Sequence, residues 1–114
     1  MKQADVTLLK KMIGYCDDIT AMVQRFGADE AVYRKDRAYQ YATSMCILQI
    51  GELAGRLSDE GKAASPEIPW RLIRGMRNIY AHNYEKAEPR ILWQTITEDI
   101  PALRGQIQGI LEKE

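Results

Sequence analysis

The sequence predicts an all-α protein, an up-and-down bundle of four to five helices, and three observations carry that prediction. Apolar residues recur at steps of three and four along most of the 114 residues. No stretch alternates apolar and polar residues as a half-buried strand would. The breaks are punctuated by Gly27, by Ser58-Asp59-Glu60-Gly61, by Pro66 and Pro69, and by Pro89, residues that end or start helices. There are no repeats and no low-complexity segments. A chain of this length is expected to be a single domain over residues 1–114, large enough to bury a modest core without disulfides or metal.

The first helix is expected from about Asp5 to Phe26, where Val6, Leu9, Ile13, Cys16, Ile19, Val23 and Phe26 form one apolar seam. Gly27 is well placed to end it. The polar side mixes both signs of charge, which favours a core-facing helix over a membrane-surface one. The second pattern runs from Asp29 to about Leu57. Its inner part, Tyr41, Met45, Leu48, Ile50, Leu53 and Leu57, is apolar around much of the helix, as expected of a central helix or one packed on a second subunit. Gly51 lies in its middle, where a glycine costs roughly 1 kcal/mol against alanine, so a close backbone approach is the natural reason for it. Glu52 follows directly, either as a solvated glutamate or as a functional carboxylate.

Ser58-Asp59-Glu60-Gly61 reads as a stop, Ser65-Pro66-Glu67-Ile68-Pro69 as a stiff loop, and Pro69 suits the first turn of a third helix from Trp70 toward His82. On that helix Leu72, Ile73, Met76, Ile79 and Tyr80 share one side and Arg71, Arg74 and Asn78 the other. Arg77 falls at the border, a position that calls for an anionic partner such as Glu52 or a phosphate. Glu85 to Pro89 is a connection. Ile91, Leu92, Trp93, Ile96, Ile100, Leu103, Ile107, Ile110 and Leu111 then form a fourth pattern, in which Pro101 imposes a kink or two abutting helices around Glu98 to Pro101.

Sixteen basic and sixteen acidic residues cancel, which argues against indiscriminate coating of nucleic acid. Between Trp70 and Arg90, however, Arg71, Arg74, Arg77, Lys86 and Arg90 stand against Glu85 and Glu88 alone, a local excess of three positive charges. The apolar runs are too short and too interrupted for a membrane span or signal peptide, so a soluble, cytoplasmic protein without membrane contact is expected. Cys16 and Cys46 lie within helical patterns and read as buried free thiols.

The chemistry gathers at Arg77-Asn78-Ile79-Tyr80-Ala81-His82-Asn83-Tyr84, which holds the only histidine. One histidine without Cys-x-x-Cys excludes a conventional single-chain zinc site. A phosphate loop ending in Lys-Ser/Thr and an acidic cluster for two metals are both missing. What remains is proton transfer by histidine, whose ordinary pKa of about 6.5 suits neutral pH, beside an arginine whose planar fork grips phosphoryl oxygens. RNA supplies its own nucleophile, the 2′-OH. Arg77 and His82 are five apart, about 140° on an ideal helix. Either the helix ends near His82, or the working partners come from two subunits. The alternative for a histidine at a helix end is hydrogen bonding to the last carbonyls.

Arg77-Asn78, three residues and His82 resemble the motif of the HEPN family, and His82-Asn83-Tyr84 resembles the His-x-Tyr of its HepT branch. Gln49-Ile50-Gly51-Glu52, Pro69-Trp70, Gly75-Met76-Arg77-Asn78 and Trp93…Ile100-Pro101…Leu103 are also similar to HepT, so the resemblance extends from the second helix to the end. Glu85-Lys86 departs from the aromatic and small residues typical of that turn. The resemblance implies the HEPN bundle, usually a homodimer with the motif at the interface. It implies a metal-independent, cofactor-free ribonuclease toxin acting on tRNA or mRNA. It also implies an MntA-type nucleotidyltransferase antitoxin that transfers AMP to the motif tyrosine. Carried over by position, Arg77 and His82 are catalytic, Asn78 orients one of them and Tyr84 is the modified residue; beside these, Glu52 is expected as a supporting residue and Arg71 and Arg74 as substrate-binding. Two other classes compete: a non-catalytic HEPN module that binds nucleotide or substrate beside a separate nucleotidyltransferase, and a purely structural helical dimer.

Overall fold

Several boundaries are set by a residue that satisfies a helix end. In the computed structural model, which describes residues 1–82 and 86–114 and only the backbone of His82, α1 spans Gln3–Phe26 and ends at Gly27 with φ of 121°. Only glycine adopts that conformation without strain. The segment expected as one second helix is two. Asp36 leaves helical geometry, closing α2 (Glu30–Lys35) and capping α3 (Arg37–Arg56) by accepting from the Tyr39 N–H at 3.1 Å. An aspartate that caps one helix has to interrupt the one before it, because the cap residue is itself extended. Ser58 stops α3 as expected and then starts a short α4 (Asp59–Ala63), its hydroxyl accepting from the Gly61 N–H.

Helix α5 runs Trp70–His82. Helix α6 (Pro89–Gln94), a π-helical turn (Thr95–Asp99) and α7 (Ile100–Glu112) follow without a break. The expected disturbance before Pro101 is this π turn. The Ile100 N–H donates to the Thr95 carbonyl five residues back, and the widened turn lets Pro101, which has no N–H, enter the first turn of α7.

The described residues contain no strand, and the architecture is all-α. The long helices alternate in direction. Asp5 at the start of α1 meets Ser58 after α3, and Met1 and Asp17 pair with Glu114 and Arg104 at either end of α7. α3 lies between α1 and α5, while α7 packs on α1. The core is built from Leu9, Met12, Cys16 and Ile19 of α1, Ile47 and Ile50 of α3, and Ile96, Ile100 and Ile107 beyond them. Tyr33, Tyr39, Phe26 and Trp93 close one end as a ring cluster, with centroids 4.7 to 6.3 Å apart. The two thiols are buried and free, and desolvation pushes Cys16 up to about 12 and Cys46 to about 11. Among the described residues no helix is long and apolar enough to cross a membrane. Part of the wide apolar face of α3 stays uncovered: Tyr41 and Met45 are exposed, as are Leu72 and Ile79 on α5.

Candidate active site

The site is built where α5 crosses α3, and a glycine sets the closeness of that crossing. A Cβ added at Gly51 would stand 2.9 Å from the Arg77 Cβ and 3.0 Å from the Ile73 carbonyl oxygen. Any other residue would push the helices apart. This is the backbone approach that a mid-helix glycine suggested. The start of α5 is anchored by Trp70, which is buried and whose indole N–H donates to the carbonyls of Lys62 and Ser65 at 3.1 and 3.2 Å. α5 is thereby held at its first residue and again at the crossing with α3.

The crossing brings three of the expected residues together. The Arg77 Nε–H donates to the Glu52 carboxylate, forming a salt bridge between helices, and Nη1 donates to the Asn78 side-chain oxygen at 3.3 Å. The guanidinium is therefore oriented from two sides, while its remaining N–H groups have no partner among the described residues. Both ends of the bridge stay wet, with Arg77 41% and Glu52 45% exposed. Such a pair adds little to stability, and its main effect is to aim the arginine. Glu52 is thus a partner to Arg77 and not a free solvated glutamate.

A cleft of about 380 Å³ opens beside this pair, lined by Gly51, Glu52, Gly55, Arg56, Arg74, Arg77 and Asn78. Arg74 lies in it as expected. Arg71, three residues earlier on α5, is exposed and outside this lining; it stands about 60° round the helix from Arg74 and about 4.5 Å nearer the helix start. Arg56 was missed by the sequence reading, although a signal existed. Gly51 and Gly55 are one turn apart on α3, as are Glu52 and Arg56, so a single helix face carries both small residues and both charges. His82 is the last residue of α5, so helical backbone persists from Arg77 to His82; the His82 side chain, like Tyr84 as a whole, lies outside the described residues. Chemically, the arrangement offers an oriented guanidinium and two further cations around one carboxylate, a setting that suits the oxygens of a phosphodiester.

Comparison with known proteins agrees with this architecture. Residues 12–110 match the family model described as ribonuclease HepT-like. A "Probable ribonuclease HepT" of Thermococcus cleftensis is 37% identical over 75 residues, covering 66% of this chain and 68% of that protein. A "Putative RNase" of Caldanaerobacter subterraneus subsp. tengcongensis is 31% identical over 106 residues, 93% of each chain. Another of Methanocaldococcus jannaschii is 26% identical over 113 residues, 98% of this chain and 96% of that one. No solved structure matches at a significant level. The helical bundle, the oriented arginine and a match over nearly the whole chain lead to one conclusion: this chain belongs to the ribonuclease HepT-like family of HEPN domains.

Proposed function

We propose that this protein is a metal-independent endoribonuclease toxin of a HepT/MntA-type pair, working as a homodimer and silenced by AMP on Tyr84. The observation that carries the reading is Arg77, held by Glu52 and Asn78 at the edge of a cationic cleft, in a chain whose relatives bear ribonuclease names. His82 takes the proton of a ribose 2′-OH. The freed oxygen attacks the adjacent phosphorus, Arg77 stabilises the charge on the phosphoryl oxygens, and the departing 5′-oxygen receives the proton from the imidazolium. The products are a 2′,3′-cyclic phosphate and a 5′-hydroxyl.

The helix itself supports the dimer. With α5 helical through His82, positions 77 and 82 are about 140° apart, which suits an arginine and a histidine contributed by two subunits to one cleft. The exposed Tyr41 and Met45 of α3 and Leu72 and Ile79 of α5 supply apolar surface for such a twofold contact. In regulation, the Tyr84 phenol oxygen attacks the α-phosphorus of ATP on a partner nucleotidyltransferase. The phenol loses its proton, pyrophosphate leaves, and the tyrosine carries AMP. Its phosphodiester and bulk then compete with RNA for the arginines.

The test is cleavage of RNA by the purified protein in EDTA, with mass spectrometry of the ends. Cyclic phosphate termini, no cutting of DNA, and loss of activity in His82→Ala are expected. A metal requirement or equal cutting of DNA would overturn the mechanism. A monomer by light scattering at micromolar concentration would overturn the shared cleft, and an unlabelled Tyr84 after incubation with the nucleotidyltransferase and ATP would overturn the regulation.

A further inference from the structure

Two cations in the cleft have a different environment from Arg77. Arg56 ends α3 and Arg74 reaches the same cleft from α5, and among the described residues neither has an ion pair or a side-chain hydrogen bond. Among the described residues Glu52 is the only acidic residue in the lining, and Arg77 already occupies it. Arg34, Arg90 and Arg104 have carboxylates, in Glu30, Glu88 and Asp17, and what sets Arg56 and Arg74 apart from other arginines without one is the cleft they share. In a chain with no net charge, a groove holding three arginines against one glutamate is a local positive site.

Gly55 gives this site its shape. A Cβ there would stand 3.2 Å from Arg74 Nε, 3.3 Å from its Cδ and 3.5 Å from its Cγ. The bare backbone lets the stem of Arg74 lie along α3, as the bare backbone of Gly51 lets Arg77 lie against it. Gly51 and Gly55 are four residues apart, about 6 Å along the helix. The two arginines of α5 are therefore stepped along α3 by one turn, and Arg56 stands at the second step. Cations stepped along a groove track a chain of anions better than a single ion. A cleft of about 380 Å³ takes a stretch of single strand.

We propose that Arg56 and Arg74, floored by Gly55, form a second phosphate subsite that holds the phosphate next to the one bound by Arg77 on a single-stranded RNA. The identification of the strand as RNA rests on the nuclease reading; the subsite itself rests on the three arginines and two glycines. Its role is to set which linkage reaches Arg77, so it positions substrate and does not itself take part in proton transfer.

The experiment measures binding on full-length His82→Ala protein, so that RNA stays intact. A hexaribonucleotide is compared with versions carrying a neutral methylphosphonate at each linkage in turn. Two adjacent linkages should prove sensitive, each losing roughly five- to tenfold in affinity. Arg56→Gln with Arg74→Gln should abolish the sensitivity of one of them and leave the other. It should also flatten the slope of log affinity against log salt by about 0.7, since the subsite holds one phosphate and each phosphate on a single strand contributes about that much. Arg77→Gln should abolish the other sensitivity. Gly55→Ala, whose new Cβ would meet Arg74 first, should weaken the same linkage as the double variant. An unchanged methylphosphonate pattern and salt slope in the folded double variant would overturn the subsite, even if the wild type cuts RNA. Paired sensitivity in a protein that never cuts RNA would uphold the subsite and sink the nuclease.

Discussion

Two polar constellations join helices in this protein, and they behave as opposites. At one end of the bundle Asp5 of α1 is 2% exposed, and its carboxylate accepts from both the backbone N–H and the hydroxyl of Ser58. Gly61 leaves it room, since a Cβ there would sit 2.7 Å from the Asp5 carboxyl carbon. At the other site Glu52 and Arg77 are nearly half exposed, and the arginine keeps N–H groups that have no partner among the described residues. The first arrangement is closed: a buried charge with its acceptors filled holds the start of α1 to the start of α4 and has nothing left to offer a ligand. The second is open: it gains little stability but presents an aimed cation to whatever enters the cleft. Burial and spare donors, more than residue type, separate the two constellations.

The comparison breaks most visibly in activity. Arg77→Ala and His82→Ala are each expected to lower RNA cleavage by at least about a thousandfold, while the thermal midpoint stays within a few degrees of wild type. A large fall in the midpoint of Arg77→Ala would mean that the open site is structural after all. Asp5→Ala should do the reverse. Leaving the Ser58 N–H and hydroxyl without their buried acceptor costs about 2 kcal/mol, a drop of roughly 10 °C in the calorimetric midpoint for a chain of this size, with cleavage per folded molecule unchanged. Gly61→Ala should destabilise in the same direction, because the new Cβ has nowhere to go.

Glu52→Gln sharpens the contrast between two carboxylates of one protein. Stability should move by less than about 1 kcal/mol in urea unfolding, as for exposed ion pairs. Cleavage should fall about tenfold as Arg77 loses its orienting charge. The smallest expected effect is in acid. The hydrogen bonds from Ser58, side chain first and backbone second, hold the Asp5 carboxyl below its ordinary value of 3.8. A carboxyl depressed on folding contributes stability above its unfolded value and loses it as pH falls through the folded one. Wild type should therefore lose stability below about pH 4 more steeply than Asp5→Asn, a difference that urea midpoints at pH 7 and pH 3 will register.

Much of the architecture could be read directly. Helix α5 lies at the limits that Pro69 and the motif suggested, and the disturbance before Pro101 is a π turn where a kink or a pair of abutting helices was expected. The division at Asp36 was harder to see, because Tyr33, Tyr39 and Tyr41 keep the apolar pattern running across it. An N-cap is a backbone conformation, and periodicity does not register it. Ser58-Asp59-Glu60 was read as a stop although the same residues cap and charge the first turn of α4. The site was legible as a motif and as a suggested Glu52–Arg77 pair. Arg56, the role of Gly55 and the exclusion of Arg71 from the cleft were not.

By itself the sequence determined the fold class, the helix-forming segments, the arginine–histidine motif and the need for a close approach at Gly51. These are properties of spacing along one chain, and helical periodicity of 3.6 residues makes them local. Only the tertiary structure decided which cations share a cleft, which carboxylate is buried and which is wet, and where two helices touch. Those outcomes depend on the direction in which α5 crosses α3. A rotation of one residue, about 100°, would exchange Arg74 for Gly75 above Gly55 and leave the periodic pattern of the sequence unchanged.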